Sequence, residues 1–260
     1  MGLLNNGITI MNFDETYISQ KELQQFPHEN INIQHLLHVN LFCQEDSLKL
    51  LKSYLEKRKQ KGITLIGNGN YHYVTYLLLS EICQPFTLVL FDNHPDLEIK
   101  QKGETILSCG SWVSFALANN PLLKNVVIIG PTNIKLHHLN VPRTIIYPFN
   151  KNQQYSLKSI ISSIHTEIVY VSIDKDVLNT NEVTTNWDQG MMSIHSLTHY
   201  LSSILQAKQV IGVDICGEVK MSPEQVLLPN YQTIIKKNAM VNRQLLTTCL
   251  KYSNCKKMGA

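Results

Sequence analysis

The chain has 260 residues, 43% of them hydrophobic, and its formal net charge at pH 7 is only +3. That apolar content suffices for a sizeable core, and so small a charge without an arginine-rich stripe argues against a nucleic-acid-binding protein. The cysteines form no C-x-x-C pair, and no apolar run reaches the roughly 18 residues that span a bilayer. Because the N-terminus also lacks a basic segment followed by an apolar one, the sequence predicts a reduced, cytoplasmic protein without a secretory signal or membrane association.

Segments predicted to be strands and helices alternate along the chain. The strands have nearly continuous apolarity, which is typical of strands buried on both faces of a sheet; they cover residues 7–13, 63–68, 86–92, 125–130, 143–149, 167–174 and 209–216. The predicted helices cover residues 46–59, 73–82, 112–119, 155–164 and 193–206. This alternation predicts one α/β domain over residues 1–260, with a mostly parallel sheet and helices on both faces.

A last helix is predicted from its start signal. Ser222 is a good N-cap, Pro223 stands at the first helical position and Gln225 at the third, as in a capping box. The helix is expected to run to about Tyr252, with an interruption near Pro229.

Acidic side chains collect where two predicted strands end. Asp92, His94 and Asp96 follow one strand at alternate positions, and Asp174 and Asp176 end another. Parallel strands open their carboxyl ends at one edge of the sheet, so the fold brings the two motifs together. For a single D-x-D motif the alternative is a helix N-cap or a solvated loop, but the two motifs in one chain favour a shared site.

Four crowded carboxylates repel one another and are costly to desolvate. Two divalent cations remove that cost, and carboxylates with imidazoles suit Mn²⁺ or Fe²⁺, with Zn²⁺ possible. His72 follows the turn Gly67–Gly69 after a third strand and is a further candidate ligand, although a lone histidine in a turn is usually a surface residue. Such a pair of cations activates a water molecule for attack on an electron-poor carbon.

The pattern D-x-H-x-D, then S-x-D-x-D, preceded by a glycine-rich turn with a histidine, resembles the arginase–agmatinase (ureohydrolase) family over about residues 63–220. The resemblance implies the arginase-like three-layer α/β fold, two Mn²⁺ ions with Fe²⁺, Co²⁺ or Zn²⁺ as substitutes, and hydrolysis of a guanidino group to urea and an amine. It also implies the ligand sets: one metal would be held by His72, Asp92, Asp96 and Asp174, and the other by Asp92, His94, Asp174 and Asp176.

Other positions depart from the family pattern. Cys109 stands where the family has a histidine that shuttles protons, although a small packing residue is the alternative for it. Glu218 is the candidate partner of the guanidinium but comes one residue later than usual. Asp176 or Asp174 is expected to relay a proton, and Trp187 and Asp188 are further candidates for substrate contact.

The segment of residues 97–107 lacks the small polar side chains that read a free amino acid. This favours arginine within a precursor peptide, converted to ornithine, as in the peptide arginases of natural-product maturation. The alternatives are a small-molecule arginase or agmatinase, an amide deacetylase that uses one zinc ion, and a catalytically silent binding relative. The sequence leaves a homo-oligomer possible.

Overall fold

A computed structural model describes residues 3–98, 106–150 and 155–252. Eight strands of this part form one sheet: β1 (Ile8–Asn12), β2 (His28–Asn32), β4 (Ile63–Leu65), β5 (Phe86–Phe91), β7 (Leu123–Ile129), β8 (Thr144–Tyr147), β9 (Ile168–Asp174) and β10 (Gln209–Cys216). Their order is β2-β1-β4-β10-β9-β5-β7-β8, and every neighbouring pair is parallel. Two short strands, β3 (Phe42–Cys43) and β6 (Leu107–Ser108), pair antiparallel outside this sheet.

Helices cover both faces of the large sheet. One face carries α1 (Leu3–Asn6), α5 (Leu157–Ser162), α6 (Ile194–Ala207) and α8 (Pro229–Tyr252). The other carries α2 (Glu45–Lys57), α3 (Val74–Leu79) and α4 (Trp112–Asn119). Each helix layer forms its own apolar core with the sheet, with Leu201 and Leu245 in one and Leu51 and Trp112 in the other. The predicted three-layer α/β fold is therefore confirmed.

All seven predicted strands are present, and all but the edge strand β8 are mostly buried. Every residue of β5 is buried, as its continuous apolarity predicts. The sequence did not indicate β2, β3 or β6. The edge strand β2 has the polar sequence HENIN with only Ile31 buried, and β3 and β6 have two residues each, too few for a periodic pattern.

The last helical segment is divided as predicted. A short helix, α7 (Pro223–Val226), precedes α8, and the break falls just before Pro229. The Ser222 hydroxyl accepts a hydrogen bond from the backbone N–H of Gln225, and the Gln225 side chain accepts one from the backbone N–H of Ser222. The predicted capping box is thus confirmed.

The carboxyl ends of four adjacent strands meet in the order β4-β10-β9-β5. These are the strands after which the predicted site residues follow, so the topology places them at one edge. In the described part of the chain, no helix combines the length and apolarity needed to cross a membrane. The cysteines described there are free thiols, and a cytoplasmic location stays a prediction.

Candidate metal centre

The six side chains predicted to bind metal line a single open cavity of about 220 Å³ at this edge of the sheet. The imidazole of His72 and the four aspartates are buried, whereas 34% of the His94 side chain is exposed. The six residues are His72, Asp92, His94, Asp96, Asp174 and Asp176. The sheet topology thus joins two sequence motifs that lie about 80 residues apart.

The ligand atoms form two groups that share Asp92. His72 Nδ1 lies 3.3 Å from Asp92 Oδ2 and 3.2 Å from Asp96 Oδ2. His94 Nδ1 lies 2.8 Å from Asp176 Oδ2 and 3.6 Å from Asp92 Oδ1. The atoms of each group lie within 4.8 Å of one another, so each group can surround one ion. One oxygen of Asp92 faces each group, as a bridging carboxylate requires.

Asp174 lies beside the first group, because its Oδ2 lies 3.6 Å from His72 Nδ1. Its Oδ1 accepts a hydrogen bond of 3.0 Å from the backbone N–H of Asp176 and caps a short 3₁₀ helix, Lys175–Val177. The N-cap alternative for this motif therefore holds together with its place in the cavity. The bridging role expected of Asp174 stays a prediction.

The four carboxyl groups are buried close together, so their negative charges repel one another and need compensating positive charge. Burial raises the pKa of all four, and the charge of a neighbouring aspartate raises it further at three of them. For Asp176 these effects raise the pKa to about 7. Burial lowers the pKa of His94, but hydrogen bonds to Asp176 and Asp92 outweigh it and raise the pKa overall. Without cations the four carboxyl groups therefore hold protons more tightly than exposed aspartates do.

Divalent cations fit this arrangement on two observations. Asp92 Oδ2 is buried and makes no hydrogen bond among the described residues, a costly state for a carboxylate oxygen. The donor set, four carboxylates and two imidazoles, is one that Mn²⁺ and Fe²⁺ bind well.

Both histidines are held from behind so that Nδ1 faces the carboxylates. His72 Nε2 lies 2.8 Å from the Ser172 hydroxyl, which donates a hydrogen bond of 2.7 Å to Asp214. His94 Nε2 lies 2.9 Å from Asp188 Oδ1. A hydrogen on each Nε2 leaves the lone pair on Nδ1 for a metal, which is the usual role of such outer partners.

Two further predicted site residues are walls of the cavity. Trp187 lines it, with its ring centroid 5.9 Å from that of His94 and its Nε1 donating to Asn70. Cys109 lines it as well, and burial followed by the charge of Asp96 raises the pKa of its thiol to about 12. The thiol is therefore protonated at neutral pH, and a catalytic role for it stays a prediction.

The model of the Arginase family matches residues 9–225. The chain belongs to the arginase family. An uncharacterized protein of Thermotoga maritima is 34% identical over 157 residues, a match that spans 60% of this chain and 58% of that protein.

Arginase-family members of known structure share the fold. Proclavaminate amidino hydrolase from Streptomyces clavuligerus has a TM-score of 0.69 at 13% identity, over 96% of this chain and 92% of that one. Agmatine ureohydrolase of Thermoplasma volcanium has a TM-score of 0.68 at 12% identity, over 100% and 94%. Arginase from Bacillus cereus has a TM-score of 0.67 at 12% identity, over 94% and 98%.

In this arginase-family chain the structure contradicts the placement expected of Glu218. Its carboxylate does not line the metal-site cavity; it pairs with the fully buried Lys175 and accepts hydrogen bonds from Asn238 (3.0 Å), Asn242 (2.7 Å) and Gln20 (2.9 Å). Gly217 before it has a φ of +91°, which breaks the strand alternation and turns the next side chain away. Glu218 is thus part of a buried network beside a separate cavity.

Several contacts at the site were not predicted. Ser172 and Asp214 support His72 as described above, and Trp112 Nε1 donates a hydrogen bond of 2.6 Å to Asp96. Cys216 Sγ lies 3.2 Å from Asp174 Oδ2 and forms a third close group with His72 and Asp174.

The sequence carries a signal for two of these residues, Asp214 and Cys216. In the parallel register of β9 and β10, Asp214 pairs with Ser172 and Cys216 with Asp174. Side chains at alternate positions share a face, so Asp214 and Cys216 follow Asp174 onto the site's side of the sheet.

Proposed function

We propose that this arginase-family chain is a metal-dependent amidino hydrolase that cleaves a guanidino group to urea and an amine. The observation that carries the proposal is the pair of ligand groups joined by the two oxygens of Asp92. Two cations, Mn²⁺ or Fe²⁺ by the chemistry of the donors, would supply the activated water nucleophile.

The residues of the chain would hold the cations, orient the ligating imidazoles and exclude bulk water. His72, Asp96 and Asp174 would hold one cation and His94 and Asp176 the other, and Asp92 would contribute to both. The outer contacts from Ser172 and Asp188 keep both imidazoles in the ligating orientation. Asp176, a buried lining residue of the cavity, is the carboxylate we assign to carry a proton to the leaving amine.

Trp187 lines one side of the cavity, and we assign its ring to limiting the access of bulk water to the reacting group. With Glu218 turned away, Glu98 is the one carboxylate among the described lining residues that is not a predicted ligand. It lies at the mouth, bonded to Lys135. In the described part of the site, the guanidinium charge is therefore faced mainly by the ligand carboxylates.

Within this function we propose arginine in a peptide, converted to ornithine, as the substrate. Exposed apolar side chains border the mouth: 39% of Trp187 is exposed, and Leu136 (84%) and Leu139 (59%) are next in the chain to Lys135 and His138, which line the cavity. Leu41 lies next to the mouth on another side, because its carbonyl accepts a hydrogen bond from the backbone N–H of Cys109, which lines the cavity. A chain with residues on both sides of an arginine can cover such a border, whereas a free amino acid is too small.

The segment after Asp96 that motivates the same idea lies largely outside the described residues, namely Lys100, Lys102, Glu104 and Thr105. One described observation favours the small-molecule alternative. Lys135 and Glu98 form an ion pair at the mouth, and such a pair offers a cation and an anion to the carboxylate and amine of a free amino acid.

A competition between substrates tests the proposal. The Mn²⁺-loaded chain would be given free arginine, agmatine and an arginine-containing peptide of about ten residues at equal concentration, and urea and amine release measured for each. The peptide should have the highest kcat/KM. A higher kcat/KM for free arginine or agmatine would refute the proposed peptide substrate but not the proposed hydrolase activity.

Metal analysis and activity assays of the chain as purified, without added metal, decide between the remaining alternatives. Two bound metals without urea from any guanidino compound would indicate a silent relative. One bound zinc with release of acetate from acetyl-lysine would indicate a deacetylase.

A further inference from the structure

A second group of metal-binding side chains lies in the wall of the cavity mouth, outside the six predicted ligands. It consists of Glu98, His137 and His138 and is called here the mouth cluster. Glu98 Oε1 lies 3.8 Å from His138 Nε2, and Glu98 Oε2 lies 3.9 Å from His137 Nε2. The three ligand atoms lie within 4.8 Å of one another. The cluster thus has the spacing of an open three-ligand site.

His138 gives a second, independent indication of a ligand. Its side chain is only 3% exposed, and its Nε2 is buried without a hydrogen-bond partner among the described residues. A buried imidazole nitrogen directed at a carboxylate that it does not reach is costly unless a third atom lies between them. Burial, followed by the charge of His137, lowers the pKa of His138 and favours the neutral ring that binds metals.

We propose that the mouth cluster is a third cation site, selective for Zn²⁺ and similar ions, distinct from the binuclear centre. Two imidazoles and one carboxylate are a donor set that zinc binds with a fourth position left open. The centre below, with four carboxylates and two imidazoles, suits Mn²⁺ or Fe²⁺ better. The two sites therefore differ in the ions they favour.

Lys135 is the competitor of the cation at this site. Its Nζ pairs with Glu98 Oε1 at 2.5 Å, and its side chain is 63% exposed and free to swing into solvent. Its backbone N–H also makes a long contact of 3.4 Å to His138 Nδ1. Binding of zinc at Nε2 puts the ring hydrogen on Nδ1, which ends that contact. Zinc must therefore displace both contacts of Lys135, the one to Glu98 and the one to His138.

The position of the cluster gives zinc a consequence for the substrate. Glu98, Lys135 and His138 line the same cavity as the six predicted ligands. An ion held there would narrow the entrance. It would also occupy Glu98, the only described acidic residue of the mouth that is not a predicted ligand, so that Glu98 could no longer contact a substrate.

Zinc binding to four full-length variants tests this site without reference to turnover. The background is Asp92→Asn with Asp174→Asn, which empties the binuclear centre. Asparagine has nearly the size of aspartate, so these replacements remove the ligating charge with little change in packing. Binding of Zn²⁺ is measured by calorimetry, and the coordination geometry by the visible spectrum of bound Co²⁺. The substitutions added to this background are none, His137→Ala, Lys135→Met and His165→Ala.

The background should bind one equivalent of zinc with a tetrahedral cobalt spectrum. His137→Ala removes a ligand. Loss of an outer hydrogen-bonding partner alone weakens metal binding by roughly 10–100-fold, so the loss of a ligand should weaken it by at least that factor. Lys135→Met keeps the stem, removes the competing charge and should tighten binding. His165, an exposed histidine elsewhere, is the matched control and should have no effect.

The proposal is overturned if the background binds no zinc, or if His137→Ala and Lys135→Met leave the affinity unchanged. Failure here is separate from failure of the hydrolase proposal, which is measured as urea release by the Mn²⁺-loaded native chain without zinc.

Discussion

Replacing Glu218 by glutamine separates the buried-network role from the substrate role expected from the sequence. The Glu218 carboxylate is 2% exposed, the Lys175 side chain is 0% exposed, and the two form an ion pair. Glutamine keeps the shape and an acceptor oxygen for the surrounding amides but removes the negative charge. The Lys175 ammonium is then buried without a counter-charge.

The size of the effect follows from that burial. Removing one partner of a buried ion pair costs about 3–5 kcal/mol. For a chain of this size, each kcal/mol lowers Tm by about 2–4 °C, so Glu218→Gln should lower Tm by roughly 6–20 °C. The double variant Glu218→Gln with Lys175→Met removes both charges and should recover much of this loss. Glu98→Gln, at an exposed surface pair worth at most about 1 kcal/mol, should change Tm by less than about 4 °C.

Differential scanning calorimetry of the metal-loaded proteins gives the comparison, with metal content and urea release measured at low temperature on the same samples. We expect two metals per folded chain and residual activity in Glu218→Gln. A Tm within about 2 °C of the native value, together with a kcat/KM about 100-fold lower, would show that Glu218 contacts the substrate and that the network argument is wrong.

Three further predictions concern the metal centre. Asp174→Asn should lower bound metal and abolish urea release together, whereas Asp46→Asn on the exposed start of α2 should do neither; full metal occupancy with near-native activity would remove Asp174 from the site. Ser172→Ala should weaken metal binding by roughly 10–100-fold in calorimetric titrations, because His72 loses its orienting partner; unchanged affinity would refute that role. The four aspartates hold protons more tightly in the folded metal-free chain than in the unfolded one, so metal-free stability should fall as pH rises, for Asp176 between 3.8 and about 7. The gain in Tm on adding Mn²⁺ should therefore grow from about pH 5 to about pH 7.5, and a gain independent of pH would count against the charge argument.

The fold and the six-residue cluster were predictable because both depend on short-range patterns. Apolar continuity marks buried strands, and in a parallel sheet a polar residue just after such a strand must lie at the ligand-binding edge. Asp92 and Asp174 illustrate this: each lies at the carboxyl end of a strand whose neighbours were also predicted. The polar edge strand β2 has no such pattern, since only Ile31 of its five residues is buried.

The placement of Glu218 was not predictable in the same way, because it depends on one backbone angle. Strict alternation from Cys216 would place Glu218 on the side of the site. A side chain at position 217 would bring its Cβ within 2.5 Å of Asp174 Oδ1, so only glycine fits there, and its positive φ reverses the next side chain. The amides that receive the carboxylate, from Gln20, Asn238 and Asn242, come from distant parts of the chain and carry no local signal.

The central claim is that two cations, held by groups that share Asp92, hydrolyse a guanidino group. Its most direct test is a titration of the metal-free chain with Mn²⁺, in which urea release from a mixture of arginine peptide, free arginine and agmatine is followed against bound metal. We predict little urea up to one equivalent and a steep rise as the second binds. Full activity at one equivalent, or no urea from any of these compounds with two metals bound, would contradict the claim.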